Sequence, residues 1–166
     1  MYFKRKRILT TLAAIISIFI VSSIIIIKAT INNYKKSLDP VTLININWNI
    51  NLPKNTAAVN VLSDETGGFT SDGIKLTKIN YTKDHLDELN NSFNFSSFDS
   101  LALDKFNFLA KSIDNKKSIN EITDLIVNDN STLKYKIIEK GSSFLLTLIS
   151  TKPSDTLSLY CLEYRL

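Results

Sequence analysis

The sequence predicts an α+β protein: an N-terminal transmembrane helix, then a small extracytoplasmic domain with an antiparallel sheet of about five or six strands and two helices. Three observations in the 166 residues lead to this prediction. Residues 8–27 form an uncharged apolar run, several later segments alternate with period two, and two segments combine helix-start signals with apolar residues at helical spacing. Strands mixed with helices in this way indicate helices packed on one sheet.

The charges are distributed unevenly along the chain. The formal net charge is +4, yet Lys4, Arg5, Lys6 and Arg7 precede the apolar run, and all 16 acidic residues lie at Asp39 or later. From residue 38 onward, thirteen basic residues stand against sixteen acidic ones, a net of −3. A nucleic-acid-binding protein needs its positive charge on the folded domain, and here the domain is slightly negative. The sequence therefore predicts no nucleic-acid partner.

Composition excludes several other classes. Four glycines and three prolines are too few for a collagen-like or proline-rich chain. The single cysteine, Cys161, excludes an internal disulfide and a cysteine-based zinc site. Cys161 follows the alternation of an apolar strand, so we expect a small buried core residue rather than a reactive thiol.

Residues 8–27 are predicted to cross the membrane as a helix. At about 1.5 Å per residue, twenty residues span the roughly 30 Å hydrocarbon core. Hydroxyl groups in the run can bond carbonyls of their own helix, namely those of Thr10, Thr11, Ser17, Ser22 and Ser23. The competing interpretation, a cleaved signal peptide and a secreted domain, is disfavoured because the run is long and no small-residue cleavage site follows it.

The basic residues that precede the run predict the orientation. They are denser than Lys28, Lys35 and Lys36 behind it, so we expect a cytoplasmic N-terminus and an extracytoplasmic remainder. The predicted parts are a cytoplasmic tail at 1–7, the span at 8–27, a juxtamembrane spacer at 28–42 and the domain at 43–166. Tyr34 and the two neighbouring lysines either rest near the lipid headgroups or form a plain spacer, and Pro40 is expected to end any continuing helix.

Alternating side chains predict three strands in the first half of the domain. Residues 44–52 place isoleucine, tryptophan and leucine on one face and asparagine on the other, which is typical of a half-buried strand. Residues 57–62 and 74–81 are the next two strands. In the latter, the apolar phase changes between Leu76 and Ile79, which suggests a bulge.

Two helices are predicted by their start signals. Thr82 is an N-cap candidate before Leu86, Leu89 and Phe93. Ser118 and Glu121 have the spacing of a capping box, and that helix should end near residues 128–130. The aromatic-rich stretch 95–109 between them has no clean assignment, although its apolar content predicts a contribution to the core.

The last third of the chain is predicted to be strands at 133–139, 144–150 and 157–165. A turn at 151–155 makes the last two an antiparallel hairpin. The last strand is apolar on both faces, which is typical of a central or covered strand.

Few residues suggest chemistry. The only histidine, His85, lies beside Asp84, Asp87 and Glu88, and these carboxylates suit the first turns of a surface helix better than a metal site. No nucleophile motif, phosphate loop, dinucleotide motif or EF-hand occurs. The sequence therefore predicts no catalytic residue, no metal site and no cofactor.

One loop is the candidate site. Gly67, Gly68 and Gly73 are three of the four glycines of the chain, which predicts positive φ angles or close backbone approach. With Phe69 and Asp72, the loop has two interpretations: a site for a small polar ligand or a peptide end, or a demanding turn between two strands in which Phe69 fills the core.

The chain resembles small single-span membrane-anchored proteins of clostridia and bacilli. The resemblance rests on the basic start and span, the segment Asn-Trp-Asn-Ile-Asn-Leu-Pro at 47–53, the loop at 67–73 and the closing hairpin at 143–166. It implies the anchored topology and no particular activity. Members of that group often have His-Gly where this chain has Thr70-Ser71, so chemistry based on a loop histidine is not expected here.

The sequence thus predicts a single-pass membrane protein that displays a small non-catalytic binding or interaction domain at the outer face of the cell membrane. Its expected partners are the bilayer, through residues 8–27, and a membrane or envelope protein. An accessory subunit of a membrane complex, interacting through its span, is the alternative. An envelope hydrolase is a weaker third hypothesis, because catalytic groups are missing.

Overall fold

The computed structural model describes residues 16–31, 39–54, 56–67, 72–152 and 155–166. The chain divides into two units, Met1–Asp39 and Pro40–Leu166. The second unit contains the six strands of the described chain, and it begins within the predicted spacer at 28–42.

The first unit contains helix α1, residues 16–31, and every residue of this helix is exposed. Ser22 and Ser23 donate hydrogen bonds to the carbonyls of Ile18 and Phe19, which confirms the predicted bonding of these two hydroxyls to their own helix. Of the predicted span, residues 16–27 lie in α1 and residues 8–15 lie outside the described residues.

Within the described residues, no helix is both long enough and apolar enough to cross a membrane.

Helix α2, Pro40–Trp48, opens the second unit, and it replaces the strand predicted at 44–52. The prediction was wrong because Ile44, Trp48 and Leu52 follow one another at intervals of four residues. That spacing keeps side chains on one face of a strand and on nearly one face of a helix, so it did not distinguish the two structures. Pro40 begins this helix, because proline lacks only an N–H that is unpaired in the first turn. The helix that Pro40 was expected to end would lie in residues 32–38, which are outside the described residues.

The asparagines that suggested alternation have separate roles at the end of α2. Asn49 has φ of 54°, a left-handed conformation that asparagine tolerates well. The Asn45 side chain binds both backbone groups of Leu52, accepting from its N–H at 2.8 Å and donating to its carbonyl at 3.1 Å. Lys140 donates to the carbonyl of Asn47 at 2.6 Å. These contacts fix the chain where it leaves the helix.

The second unit is built on one six-stranded sheet in the order β1-β2-β6-β5-β4-β3, with every neighbouring pair antiparallel. This confirms the predicted α+β class and the strand number. The last strand is central, between β2 and β5, as its two apolar faces predicted. The strands are β1 Ala58–Gly67, β2 Asp72–Thr82, β3 Ser96–Ser97, β4 Leu133–Lys140, β5 Ser143–Ser150 and β6 Thr156–Arg165.

The phase change in β2 has a different cause from the predicted bulge. The ladder between β2 and β6 is continuous, whereas the register shift lies in β1, where Val61 pairs with Thr77 and Ser63 with Leu76. Leu76 belongs to the core on one face of the sheet and Ile79 to the core on the other. The apolar phase changes because different faces of β2 are covered along its length.

The second unit contains four α-helices among its described residues, where the sequence predicted two. After α2 come α3 Leu86–Phe93, α4 Ser100–Ala110 and α5 Lys116–Asn128. There are two short 3-10 turns: Lys83–His85 precedes α3, and Asn130–Thr132 precedes β4. Most of the unassigned aromatic stretch forms α4, and its first residues include β3. Asp99 caps α4: its carboxylate accepts from the Ala102 N–H at 3.1 Å.

Helix α5 ends at Asn128 as predicted. It begins at Lys116, two residues before Ser118, which was the predicted N-cap. Its N-cap is Asn115, whose side-chain oxygen accepts from the Ser118 N–H at 3.3 Å. The Asn115 amide also donates to the Leu62 carbonyl at 2.6 Å, at the β1 register shift. Because Ser118 is already inside the helix, the predicted capping box does not form.

Helices cover both faces of the sheet. On the face that we call the α4 face, α4 and α5 pack over Leu76, Leu146 and Leu162, among others. On the opposite face, which we call the α2 face, α2 and α3 pack over Ile79, Leu159 and other residues. Cys161 is fully buried in the α2 face, which confirms its predicted place in the core.

Glu121 of α5 ties that helix to the sheet. Its Oε1 accepts from Lys78 Nζ at 2.5 Å and from the Tyr160 hydroxyl at 2.7 Å. Burial alone would raise the pKa of the Glu121 carboxyl, but these hydrogen bonds outweigh it and hold the pKa below its usual value. The folded state therefore favours the ionised carboxylate.

Replacing Glu121 with glutamine should lower the free energy of unfolding by no more than about 1 kcal/mol at neutral pH, because the carboxylate is partly exposed. A carboxyl whose pKa is lowered by folding contributes its full stabilisation at pH values above its pKa in the unfolded chain, near 4.5. This contribution disappears as the pH falls through the lower pKa of the folded state. The difference between wild type and Glu121→Gln should thus be constant above pH 4.5 and shrink below it. Urea unfolding at several pH values measures it, and a difference that grows in acid would contradict the assignment.

Candidate functional site

The predicted glycine loop belongs to one end of the sheet. Gly67 pairs with Asp72 at the end of the β1–β2 hairpin, and Gly73 pairs with Arg165 of β6. The Leu166 N–H donates to Ser143 Oγ at 3.0 Å, beside the β4–β5 turn. We call this the hairpin end of the sheet.

The structure describes only part of the candidate loop. Gly67 ends β1, and Asp72 and Gly73 begin β2, so β-structure extends further into the loop than predicted. Gly68 and Phe69 lie outside the described residues, as do Lys4, Arg5, Lys6 and Arg7.

Gly73 has both properties that the glycine content predicted. Its φ is +130°, and a Cβ added there would lie 2.3 Å from the carbonyl oxygen of Glu65. Only glycine fits a backbone with this conformation and this neighbour. Gly73 therefore has an architectural role in the hairpin.

A buried carboxylate lies on the α2 face near this end. The side chain of Glu163 in β6 is only 2% exposed, and its Oε2 accepts a hydrogen bond from Trp48 Nε1 at 2.8 Å. Arg165 Nε lies 3.9 Å from the same oxygen. A carboxylate this deeply buried needs both a hydrogen bond and a nearby positive charge, and Trp48 and Arg165 supply them.

Two buried polar atoms in this part of the α2 face have no hydrogen-bond partner within the described chain: Thr77 Oγ1 and the same Arg165 Nε. Thr77 pairs with Cys161 and lies two positions along β2 from Lys75, which pairs with Glu163. Residues directly opposite each other share a face, so Thr77, Lys75 and Glu163 form one polar patch under α2.

Lys75 connects that patch to the edge strand. Its Nζ lies 2.9 Å from Asp64 Oδ2 on β1. Burial alone would raise the pKa of Asp64, but hydrogen bonds from Thr66 and Lys75 and the lysine charge lower it overall. Asp64, Lys75 and Glu163 therefore form a row of alternating charge across three strands.

The α4 face carries an aromatic cluster at the same end of the sheet. The rings of Phe108, Phe144 and Tyr164 have centroids 5.2 to 6.1 Å apart. Lys105 Nζ lies 4.3 Å from the centroid of Phe144 and 3.2 Å from Glu139 Oε1. Phe108 is 47% exposed, so the cluster presents an aromatic surface to its surroundings.

His85 and Cys161 are the residues best suited to acid–base or nucleophilic chemistry. His85 Nδ1 is 3.0 Å from Thr82 Oγ1, and its ring lies 5.5 Å from that of Tyr81. Thr82 thus uses its hydroxyl on the histidine ring rather than on a helix N–H. Burial raises the pKa of the Cys161 thiol, which favours its unreactive protonated form.

The acidic residues around His85 lie where the sequence placed them, with Asp87 and Glu88 in the first turn of α3. Asp84 lies in the preceding 3-10 turn. Among the described residues, no three histidine, cysteine or acidic side chains are grouped closely enough to hold a metal ion.

The buried group of Trp48, Glu163 and Arg165 was not predicted. A signal for it exists in the sequence, because Leu157, Leu159 and Cys161 share one face of the last strand and the next residue on that face is Glu163. A charge at a predicted core position indicates a specific partner. The partner itself, Trp48, was assigned to a strand and so was not connected to Glu163.

Comparison with protein-family models, with curated proteins and with solved structures finds no match for this chain.

Proposed function

We propose that this chain is a single-pass membrane protein that displays a small non-catalytic binding domain at the outer face of the cell membrane. The observation that carries the proposal is α1, a helix whose residues 16–27 are uncharged and almost all apolar, and in which every residue is exposed. A helix that is apolar on all sides is stable only when buried in protein or in lipid.

The hydroxyls of α1 support a lipid environment. Ser22, Ser23 and Thr30 all donate to carbonyls four residues earlier, at 2.5 to 2.9 Å, so these side chains need no water. In lipid, polar groups must find such partners within the helix. The basic residues before the apolar run favour a cytoplasmic N-terminus.

Cysteine labelling tests this topology, because the native Cys161 is fully buried and should not react in the folded protein. Val127→Cys, at a position that is 73% exposed, should react with a membrane-impermeant maleimide in intact cells. Lys6→Cys should react only after the membrane is permeabilised. The wild-type chain is the unlabelled control.

Two outcomes of the labelling would contradict the proposal. Reaction of Val127→Cys only after permeabilisation would place the domain in the cytoplasm. Recovery of labelled domain in the medium, without its N-terminal segment, would show a secreted protein released by signal cleavage.

The proposed binding surface is the hairpin end. Phe108 stacks edge-on against Tyr164 at 5.2 Å and is half-exposed, so its position is fixed before any partner binds. Rigid, partly exposed aromatic side chains give contact area at low entropic cost and dominate many interfaces. Leu101, about two helical turns before Phe108 on the same side of α4, is also exposed.

No catalytic role is assigned, because His85 and Cys161 are engaged elsewhere and the buried Glu163 is bound to Trp48. A photo-crosslinking residue at position 108, in intact cells, should capture an envelope protein. The same residue at position 127 is the matched control, since both sites are exposed helix positions. Equal adducts at both positions, or none at 108, would contradict the assignment of this surface.

The accessory-subunit hypothesis predicts a different pattern. Its partner would be captured from positions within residues 16–27 of α1, whose isoleucines are exposed, and not from position 108. Crosslinking from Ile20 in the same experiment therefore separates the two functions.

A further inference from the structure

Helix α2 and the residues that follow it carry no charge. From Pro40 to Pro53 there is no lysine, arginine, aspartate or glutamate. Val41, Ile44 and Trp48 are buried against the sheet. Leu43 and Ile46 are three residues apart and lie on the opposite side of the helix, and Ile46 is 55% exposed. The outer side of the helix thus carries the exposed Ile46 and the half-buried Leu43 beside uncharged polar residues, and it carries no charge.

An uncharged outer side is unusual for a helix that covers a sheet. Surface helices of soluble domains normally carry charged residues on the side away from the core. In this unit α5 follows that rule, with lysines, aspartate and glutamate among its 13 residues. The difference between the two helices indicates that the outer side of α2 meets something less polar than water.

The position of α2 in the chain indicates what it meets. Eight residues, 32–39, separate the end of α1 from Pro40, which limits their separation to about 30 Å even for a fully extended chain. Among those residues are Tyr34, Lys35 and Lys36, types enriched near lipid headgroups. A short tether holds an attached surface at high effective concentration, so a small apolar contact is enough.

The surroundings of α2 suit a headgroup layer. Lys140 donates to the carbonyl of Asn47 at 2.6 Å, so a basic group lies beside the end of the helix. The acidic Asp39 precedes the helix, where its charge is favoured by the helix dipole. Exposed apolar side chains with a basic group nearby can pack among lipid headgroups, where the apolar part meets acyl chains and the lysine meets phosphate.

We propose that Leu43 and Ile46 of α2 lie in the headgroup region of the same bilayer that holds the N-terminal segment. This inference rests on the proposed membrane anchor. It makes α2 a lipid-contacting surface of the displayed domain and leaves the aromatic cluster on the opposite face of the sheet free for a partner.

The test uses the full chain reconstituted in vesicles of phosphatidylcholine with a minority of phosphatidylglycerol. Ile46→Cys is labelled with a small fluorophore, and quenching is measured when doxyl-labelled lipids are included. The matched control is Val127→Cys on α5, and Cys161 stays buried and unlabelled. Because an interfacial helix buries its apolar face by about 5–10 Å, quenching at position 46 should exceed that at 127 at least about twofold.

Each other outcome overturns the inference. Equal quenching at both positions means that α2 faces water. A blue-shifted label at position 46 without lipid quenching means that a protein, or a second copy of this chain, covers the helix. Vesicle flotation is measured in the same sample: vesicles that carry the chain with an unquenched position 46 overturn this inference alone, whereas a chain that does not float overturns the proposed anchor too.

Discussion

Replacing Glu163 with alanine is expected to lower the free energy of unfolding of the second unit by about 3 kcal/mol, because it removes the acceptor of the buried Trp48 indole and the negative charge beside Arg165. Trp48 Nε1 loses its 2.8 Å hydrogen bond, and Arg165 Nε loses the carboxylate 3.9 Å away. Guanidinium unfolding of the full chain in detergent micelles, followed by circular dichroism, measures the change.

Glu163→Gln is the matched control for that change. Glutamine keeps an acceptor for the Trp48 indole but removes the charge near Arg165, so we expect a loss of only about 1 kcal/mol. Glu139→Ala, at an exposed carboxylate, should change stability by less than about 0.5 kcal/mol. If Glu163→Ala were as mild as Glu139→Ala, the buried group would not hold α2 to the sheet.

Gly73→Ala is expected to destabilise the unit by about 3 kcal/mol or more, because it combines an unfavourable backbone conformation with a steric clash. The added Cβ would lie 2.3 Å from the Glu65 carbonyl oxygen and 2.9 Å from Thr66 Cα, both in the partner strand β1. The β1–β2 hairpin must open to relieve this clash. Hydrogen exchange should therefore show lost protection first in β1.

Gly141→Ala provides the comparison for Gly73. Gly141 also has a positive φ, +60°, but a Cβ there meets nothing within 4 Å. Gly141→Ala should therefore lower the free energy of unfolding by about 1 kcal/mol, the contribution of the unfavourable backbone conformation alone. Similar losses at the two glycines would show that the close approach in the hairpin contributes little.

The sheet was predictable because its strands carry local signals. Five of the six strands were expected near their observed positions, since period-two alternation and turn residues mark them directly. The central place of β6 followed from apolar residues on both of its faces, such as Leu159 and Tyr160. The two-residue strand β3 was not predictable, because its Ser96 and Ser97 are paired only through their contact with β4.

The errors arose where one pattern fits two structures. Residues 44–52 satisfy a strand period and a helix period at once, and the choice is made by distant contacts such as that between Trp48 and Glu163. The capping-box pattern at Ser118 was displaced by Asn115, which also binds the edge strand. In both cases tertiary contacts outweighed a local preference.

The candidate site was predictable only in part. The glycine content of the loop indicated an unusual backbone, and Gly73 has it. The aromatic cluster of Phe108, Phe144 and Tyr164 joins residues from three elements, so no local pattern reveals it. Glu163 was visible as a charge in an apolar strand, but its meaning depended on the position of α2.

The central position of β6 has a consequence for how the unit assembles. During synthesis the β1–β2 and β4–β5 hairpins emerge first, and isolated hairpins are marginally stable in water. Among the six described strands only β6, the last of them, joins the two hairpins, by pairing with β2 on one side and β5 on the other. Neither helical layer has a complete surface to pack on before that step. The sheet and the surfaces on which the helices pack can therefore be completed only after residues 156–165 have left the ribosome.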